Sequence, residues 1–185
     1  GSFTHSFEEV TIPATSAESP VKLYVRHTFD CTPETFWKMY WDDEFDQMLR
    51  KDATVERELV SERSDGDVSV RRLRFTPEQE LPGPVAKLIG SKKLIYEQEN
   101  RFNPVKGEMH WEVVPTFLPG KLSAKGVFLV RPSGAGCERI VDGNIAVNVR
   151  FIGGQIEKAV VAEIVQSYDK TVGACHDWLE RYGNS

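Results

Sequence analysis

Apolar and polar positions alternate cleanly from Val21 to Phe29, with Val21, Leu23, Val25, His27 and Phe29 on one face and Lys22, Tyr24, Arg26 and Thr28 on the other. That period of two predicts a half-buried strand. Thr32-Pro33-Glu34 then supplies an N-cap and a proline at the first helical position, starting a helix through Phe36, Trp37, Met39 and Tyr40. Asp42 or Asp43 can cap a second short helix carrying Phe45, Met48 and Leu49, and the pair should end near Lys51 to Ala53. From Thr54 to Arg150 short alternating runs are separated by turn residues at Ser64 to Asp67, Asn103 to Gly107, Leu118 to Gly120 and Pro132 to Gly136, the pattern of an antiparallel meander. Strands are predicted near Thr54 to Arg63, Asp67 to Phe75, Lys93 to Phe102, Glu108 to Val114, Lys121 to Arg131 and Glu138 to Arg150. The irregular stretch Leu81 to Gly90, with two prolines and then Val85, Leu88 and Ile89, predicts a single turn or a short helix.

After Gly153-Gly154 the period changes to that of a helix, unbroken by proline, from Gln155 to Tyr182. Ile156, Val160, Ile164, Tyr168, Val172, Cys175 and Leu179 form one apolar line, and Val161, Val165, Ala174 and Trp178 widen it. Glu157, Lys158, Glu163, Asp169, Lys170, Asp177 and Glu180 mark the expected solvent face. At ~1.5 Å per residue such a helix extends roughly 40 Å, enough to cross a whole sheet.

One strand, two short helices, six strands and one long helix is the element order of the helix-grip superfamily, and the chain resembles that superfamily over nearly its whole length. Its members include START lipid-transfer domains, birch-pollen-allergen-like proteins and polyketide cyclases. The resemblance is carried by Thr32 to Trp37 at the opening of the first helix and by Gly153-Gly154 at the entry to the last. Phe36 to Phe45, with Leu81-Pro82-Gly83-Pro84, is similar to a bacterial uncharacterised START-like branch. The resemblance implies an α+β helix-grip fold, a seven-stranded curved antiparallel sheet around the long C-terminal helix, in one domain over residues 1–185. It also implies an apolar ligand between sheet and helix.

If the helix lies on the concave face, the apolar register of each strand points at it. The candidate ligand-binding residues are then Tyr96, Gln98, Met109, Trp111, Val113, Phe128, Ile145 and Val147 on the strands, and Ile156, Val160, Ile164 and Tyr168 on the helix. Small residues at Ala124, Gly126 and Gly143, opposite Ala159, Ala162, Ser167 and Gly173, leave side-chain volume missing, either as a cavity or filled by bulky neighbours. His27, Arg57, Gln98 and Arg139 fall on inward positions, with Arg72 in an ambiguous register. They either orient a ligand or make structural hydrogen bonds. Phe117 and Leu118 between two prolines, and Phe151 beside the glycine pair, complete the candidate set as a gate at Thr116 to Gly120 and Arg150 to Gly154. Lys121 and Arg150 nearby imply transient membrane contact there. The alternative is that Phe117 and Phe151 plug the end of the core.

A net charge of -5 over 185 residues argues against a nucleic-acid surface, and no apolar run is long enough to cross a bilayer. Gly1-Ser2 reads as a tag-cleavage scar. Cys31, Cys137 and Cys175 lack the short spacings of metal or redox motifs and read as reduced structural thiols, which points to the cytoplasm. A nucleophile elbow, a phosphate-binding glycine loop and a His-Glu-x-x-His helix are all absent. Cys175 and His176 are helix neighbours that diverge, and the acidic run Asp42 to Asp46 lacks the glycine turn of a calcium loop. No catalytic residue, metal or cofactor is therefore assigned. The expectation is a monomer that binds, and can transfer, a lipid, sterol or polycyclic metabolite. The alternative is a cyclase or dehydratase using the same cavity, with His27, Arg72 and Arg139 as candidates.

Overall fold

The alternation of the first strand is the burial pattern of β1 (Val21–Phe29), in which Leu23, Val25 and Phe29 are buried. The structure is a computed structural model that describes residues 20–183, so Gly1-Ser2, expected as a tag scar, lies outside the described residues. Thr32 caps α1 (Pro33–Tyr40), its hydroxyl accepting from the Thr35 amide at 3.1 Å. Asp42 stands at the N-cap of α2 (Asp43–Met48) but makes no capping bond, because its carboxylate accepts from the Trp178 indole N–H at 2.8 Å. A widened helical turn over Leu49–Ala53 leads into the meander. Its strands are β2 (Val55–Asp65), β3 (Val68–Pro77), β4 (Tyr96–Asn103), β5 (Glu108–Val114), β6 (Leu122–Ser133) and β7 (Gly136–Val147), with α3 (Gly83–Ile89) between β3 and β4 and α4 (Gly153–Tyr182) last.

The seven strands lie in the order β1-β7-β6-β5-β4-β3-β2, every neighbouring pair antiparallel. β1 and β2 are thus the two edges, and α1 and α2 carry the chain from one to the other. The curved sheet and its long C-terminal helix form the helix-grip fold.

The expected elements are present, with local differences, among them β7 ending at Val147 rather than at Arg150. β4 begins at Tyr96 rather than near Lys93, since Lys93 bridges to Glu80 and closes the base of the α3 excursion. Glu157, expected at the surface, is 2% exposed, and its carboxylate accepts from the Val147 amide at 2.7 Å, satisfying a donor at the end of β7. Ala162 and Gly173 are exposed and so do not thin the inner face of α4.

The gap expected at Gly126 and Gly143 is filled. Trp111, 4% exposed, lays its ring across Gly143 and donates to the Val127 carbonyl at 3.2 Å. A Cβ on Gly143 would collide with that ring, and one on Gly126 would collide with the backbone of Asp142 and Gly143, so the first glycine seats an indole and the second a close approach of strands. Gly143→Ala is expected to destabilise the fold by about 1–3 kcal/mol through overpacking. Gly173→Ala, where among the described residues nothing beyond its own helix backbone and chain neighbours lies within 4 Å of the added carbon, should stabilise it by roughly 0.5–1 kcal/mol. Urea denaturation of both variants checks the pair.

Candidate ligand-binding site

α4 packs chiefly against β1, β7, α2 and the widened turn. The centre of the grip is closed by aromatic side chains: Phe128 lies 5.4 Å from Trp37, 5.3 Å from Tyr40 and 6.3 Å from Tyr168, centroid to centroid. Toward the β2–β4 side the helix stands off the sheet, and a cavity of about 50 Å³ opens there. Tyr40, Phe45, Val55, Phe75, Tyr96 and Ile164 supply its apolar walls, and Arg57, Arg139, Ser167, Tyr168 and Thr171 its polar groups. A smaller space of about 20 Å³ continues it past Pro77 and Leu94 to Glu163. Phe75 and Tyr96 are register partners on β3 and β4, their rings stacked at 5.2 Å. They are only partly buried, as are Glu163 and Ser167, so the cavity meets solvent there.

Two buried arginines dominate the site's electrostatics. Arg57 is neutralised by Asp46, Nε to Oδ1 at 2.7 Å, donates to the Tyr40 carbonyl and lies 4.5 Å over the Tyr40 ring. Arg139, 3% exposed, donates to the Thr171 hydroxyl at 2.9 Å, His27 Nδ1 at 2.8 Å and the Tyr168 carbonyl at 3.3 Å. Its Nε–H is buried without a hydrogen-bond partner among the described residues. A guanidinium only donates, so His27 Nδ1 must be the unprotonated nitrogen. Nε2 then carries the proton, donated to Asp169 at 2.9 Å. Burial, and secondly the Arg139 charge, hold His27 below its usual 6.5, with Asp169 opposing. Burial pushes the Tyr96 and Tyr168 phenols up, so both stay neutral donors.

The sequence-derived candidates divide by position. Tyr96, Ile164 and Tyr168 line the cavity. Gln98 is buried beside it in sequence and donates to Asn100 Oδ1 at 2.7 Å. Met109, Trp111, Val113, Phe128, Ile145, Val147, Ile156 and Val160 lie in the closed core, while Phe117 and Leu118 are half-buried against its end. Phe151 is 91% exposed, at a left-handed φ of 72°. Arg72 is not among the cavity residues; Leu73 and Phe75 carry the inner register of β3. Phe45, Val55, Phe75 and Thr171 were not singled out by the sequence, though the cross-strand pairing of Phe75 with Tyr96 follows from the meander's register.

Cys175 is fully buried and its thiol is pushed up to about 11 by burial, while His176 is exposed and edges Phe29. Cys31 and Cys137, distant in sequence, bring their sulfurs to 3.8 Å as free thiols. A second concavity, an open groove of about 480 Å³, lies outside the grip, lined by Trp37, Trp41, Phe102 and Val105.

Because the folded pKa of His27 is lowered, the unfolded chain binds the proton more readily, and stability should fall as pH drops from the usual 6.5 to the lower folded value. Below that the slope from this residue vanishes. Histidine-resolved NMR titration should place His27 below 6.5, and Asp169→Asn should lower it further; a value at or above 6.5 would contradict the hydrogen-bond assignment.

The fold recurs in solved structures of low sequence identity. TTHA0849 from Thermus thermophilus superposes with a TM-score of 0.62 at 16% identity, covering 88% of this chain and 99% of that one. A START superfamily protein from Mycobacterium smegmatis gives 0.56 at 13% identity over 85% and 98% of the two chains. The Zhui aromatase/cyclase from Streptomyces sp. R1128 gives 0.55 at 9% identity over 88% and 98%. No curated protein matches the sequence. Residues 24–179, from within β1 to near the end of α4, match a family described as protein of unknown function, DUF2505, and the chain belongs to that family.

Proposed function

We propose that this protein binds a hydrophobic small molecule between α4 and the β2–β4 side of the sheet. The observation that carries the reading is the cavity itself, where apolar walls from several elements meet a few buried polar groups. The START superfamily and aromatase/cyclase structures share the fold, which is consistent with it. Transfer of the ligand is part of the proposal, with Phe151, exposed beside Arg150, as the apolar tip for transient membrane contact.

The cavity as it stands holds only a few waters, since one water needs about 10–15 Å³ in this measure. A lipid, sterol or polycyclic metabolite therefore requires the grip to open. The covering segment nearest the cavity is the excursion around α3, which returns through the Glu80–Lys93 bridge and touches α4 through Lys170 and Gln79 at 3.4 Å. Pro77 and Leu94, at its two ends, line the smaller space. The proposed gate is accordingly α3 instead of the loops around Phe117 and Phe151.

A cyclase using the same cavity would need a group free to move a proton. Of the residues named for that alternative, His27 has both nitrogens engaged, by Arg139 and by Asp169, and Arg72 is not among the cavity residues, which weighs against those two as the proton-moving group.

Ser167, at the partly open rim, gives the direct test. Ser167→Phe should fill the cavity and abolish binding of the neutral fluorescent probe N-phenyl-1-naphthylamine while circular dichroism stays native. Unchanged binding would move the site elsewhere, the groove at Trp37 and Trp41 first. Native mass spectrometry with organic extraction identifies any copurifying ligand, and recovery of a converted product after incubation would favour the enzyme.

Hydrogen exchange tests the gate. Bound probe should slow exchange over residues 81–95 more than over 116–120 or 150–154, and the reverse order would return the gate to those loops.

A further inference from the structure

We propose that the ligand of this cavity is an acid, and that its single negative charge is held by Arg139. The inference rests on the binding site described under Proposed function and adds its charge. Of the two guanidinium groups in the cavity wall, Arg57 has a carboxylate at 2.7 Å from Asp46. Arg139 has none at ion-pair distance among the described residues: its three hydrogen bonds end on a hydroxyl, a neutral imidazole and a backbone carbonyl. Asp169 comes no nearer than the far side of His27, and its side chain is 61% exposed. A buried charge without a counter-charge is costly, and a buried donor left without an acceptor adds to the cost. Both deficits fall on one side chain, since the Arg139 Nε–H is without a hydrogen-bond partner among the described residues.

An anionic head group entering the cavity would remove both costs at once. One uncompensated positive charge and one free N–H suit a carboxylate better than a doubly charged phosphate. Tyr168, on the same wall, remains protonated and can donate a second hydrogen bond. The apolar body of the ligand would then run along Val55, Phe75, Tyr96 and Ile164 toward the partly open rim. Glu163 is the carboxylate at that rim, in the smaller space away from Arg139. Burial holds it above its ordinary range, with Lys170 opposing, which weakens its repulsion of an arriving acid.

Three matched ligands, decanoate, methyl decanoate and decan-1-ol, are competed against N-phenyl-1-naphthylamine on the full chain at neutral pH. Decanoate should bind about tenfold or more tightly than the ester and the alcohol, the scale of one charge-assisted hydrogen bond. Arg139→Met should erase the difference among the three, read as the ratio of their affinities within the variant. Equal affinities in the wild-type protein, or a preference for the acid that survives Arg139→Met, would overturn the proposal while leaving the cavity as a neutral apolar site. Displacement by none of the three, with no probe bound, would overturn the binding reading itself. Should Arg139→Met fail to fold, the wild-type protein still decides. The Arg139 Nε–H resonance should shift with decanoate and not with methyl decanoate, and an unmoved resonance under saturating decanoate counts against the assignment.

Discussion

A helix of thirty residues is gripped only where its inner stripe finds partners, and those of α4 are concentrated on β1, β7, α2 and the widened turn. α4 is secured at β1 and β7 and by the α2 turn, where Ile156, Val160, Cys175 and Trp178 are buried. Toward β2 to β4 the helix makes few contacts with the sheet. The aromatic cluster around Phe128 closes the centre of the grip, and the cavity lies beside it. The cavity and the two buried arginines in its wall follow from where the grip is tight and where it is loose.

Electrostatics in that loose region differ from those of a purely oily pocket. Arg57 is committed to structure: it ties β2 to the α1–α2 unit through Asp46 and the Tyr40 carbonyl and stacks on the Tyr40 ring. Arg139 is tied by hydrogen bonds that fix its position without cancelling its charge. Two like charges thus share one wall, and among the described residues Arg57 alone has a direct ion pair, whereas Arg139 lies 5.3 Å over the Phe29 ring and 5.1 Å over the Tyr168 ring.

Much of the fold was legible because period and punctuation are local signals. The alternation of Val21 to Phe29, the proline after Thr32 and the uninterrupted period after Gly154 each identify an element without knowledge of its neighbours. The site was legible only in part. Tyr96, Ile164 and Tyr168 lie on inward registers and line the cavity, but Met109 and Phe128 lie on inward registers too, and they are core. Register tells which face a side chain takes, not how far the opposing helix stands from it. The same limit explains Gly143, whose missing side chain is replaced by a tryptophan from two strands away, and Asp42, whose capping role is given up to the Trp178 indole.

The buried carboxylate of Glu157 has a broader consequence. By accepting the Val147 amide it joins the first turns of α4 to the last residue of β7, independently of the five residues that connect them. Sliding the helix by one turn would bury that carboxylate against apolar side chains and leave the amide bare, so one axial alignment is selected over its neighbours. The connecting segment is thereby relieved of any duty to set the alignment. It can hold Phe151 in an uncommon backbone conformation, fully in solvent, without loosening the clasp behind it. Whatever sequence drift occurs at that tip, the two elements it joins are keyed to each other from within.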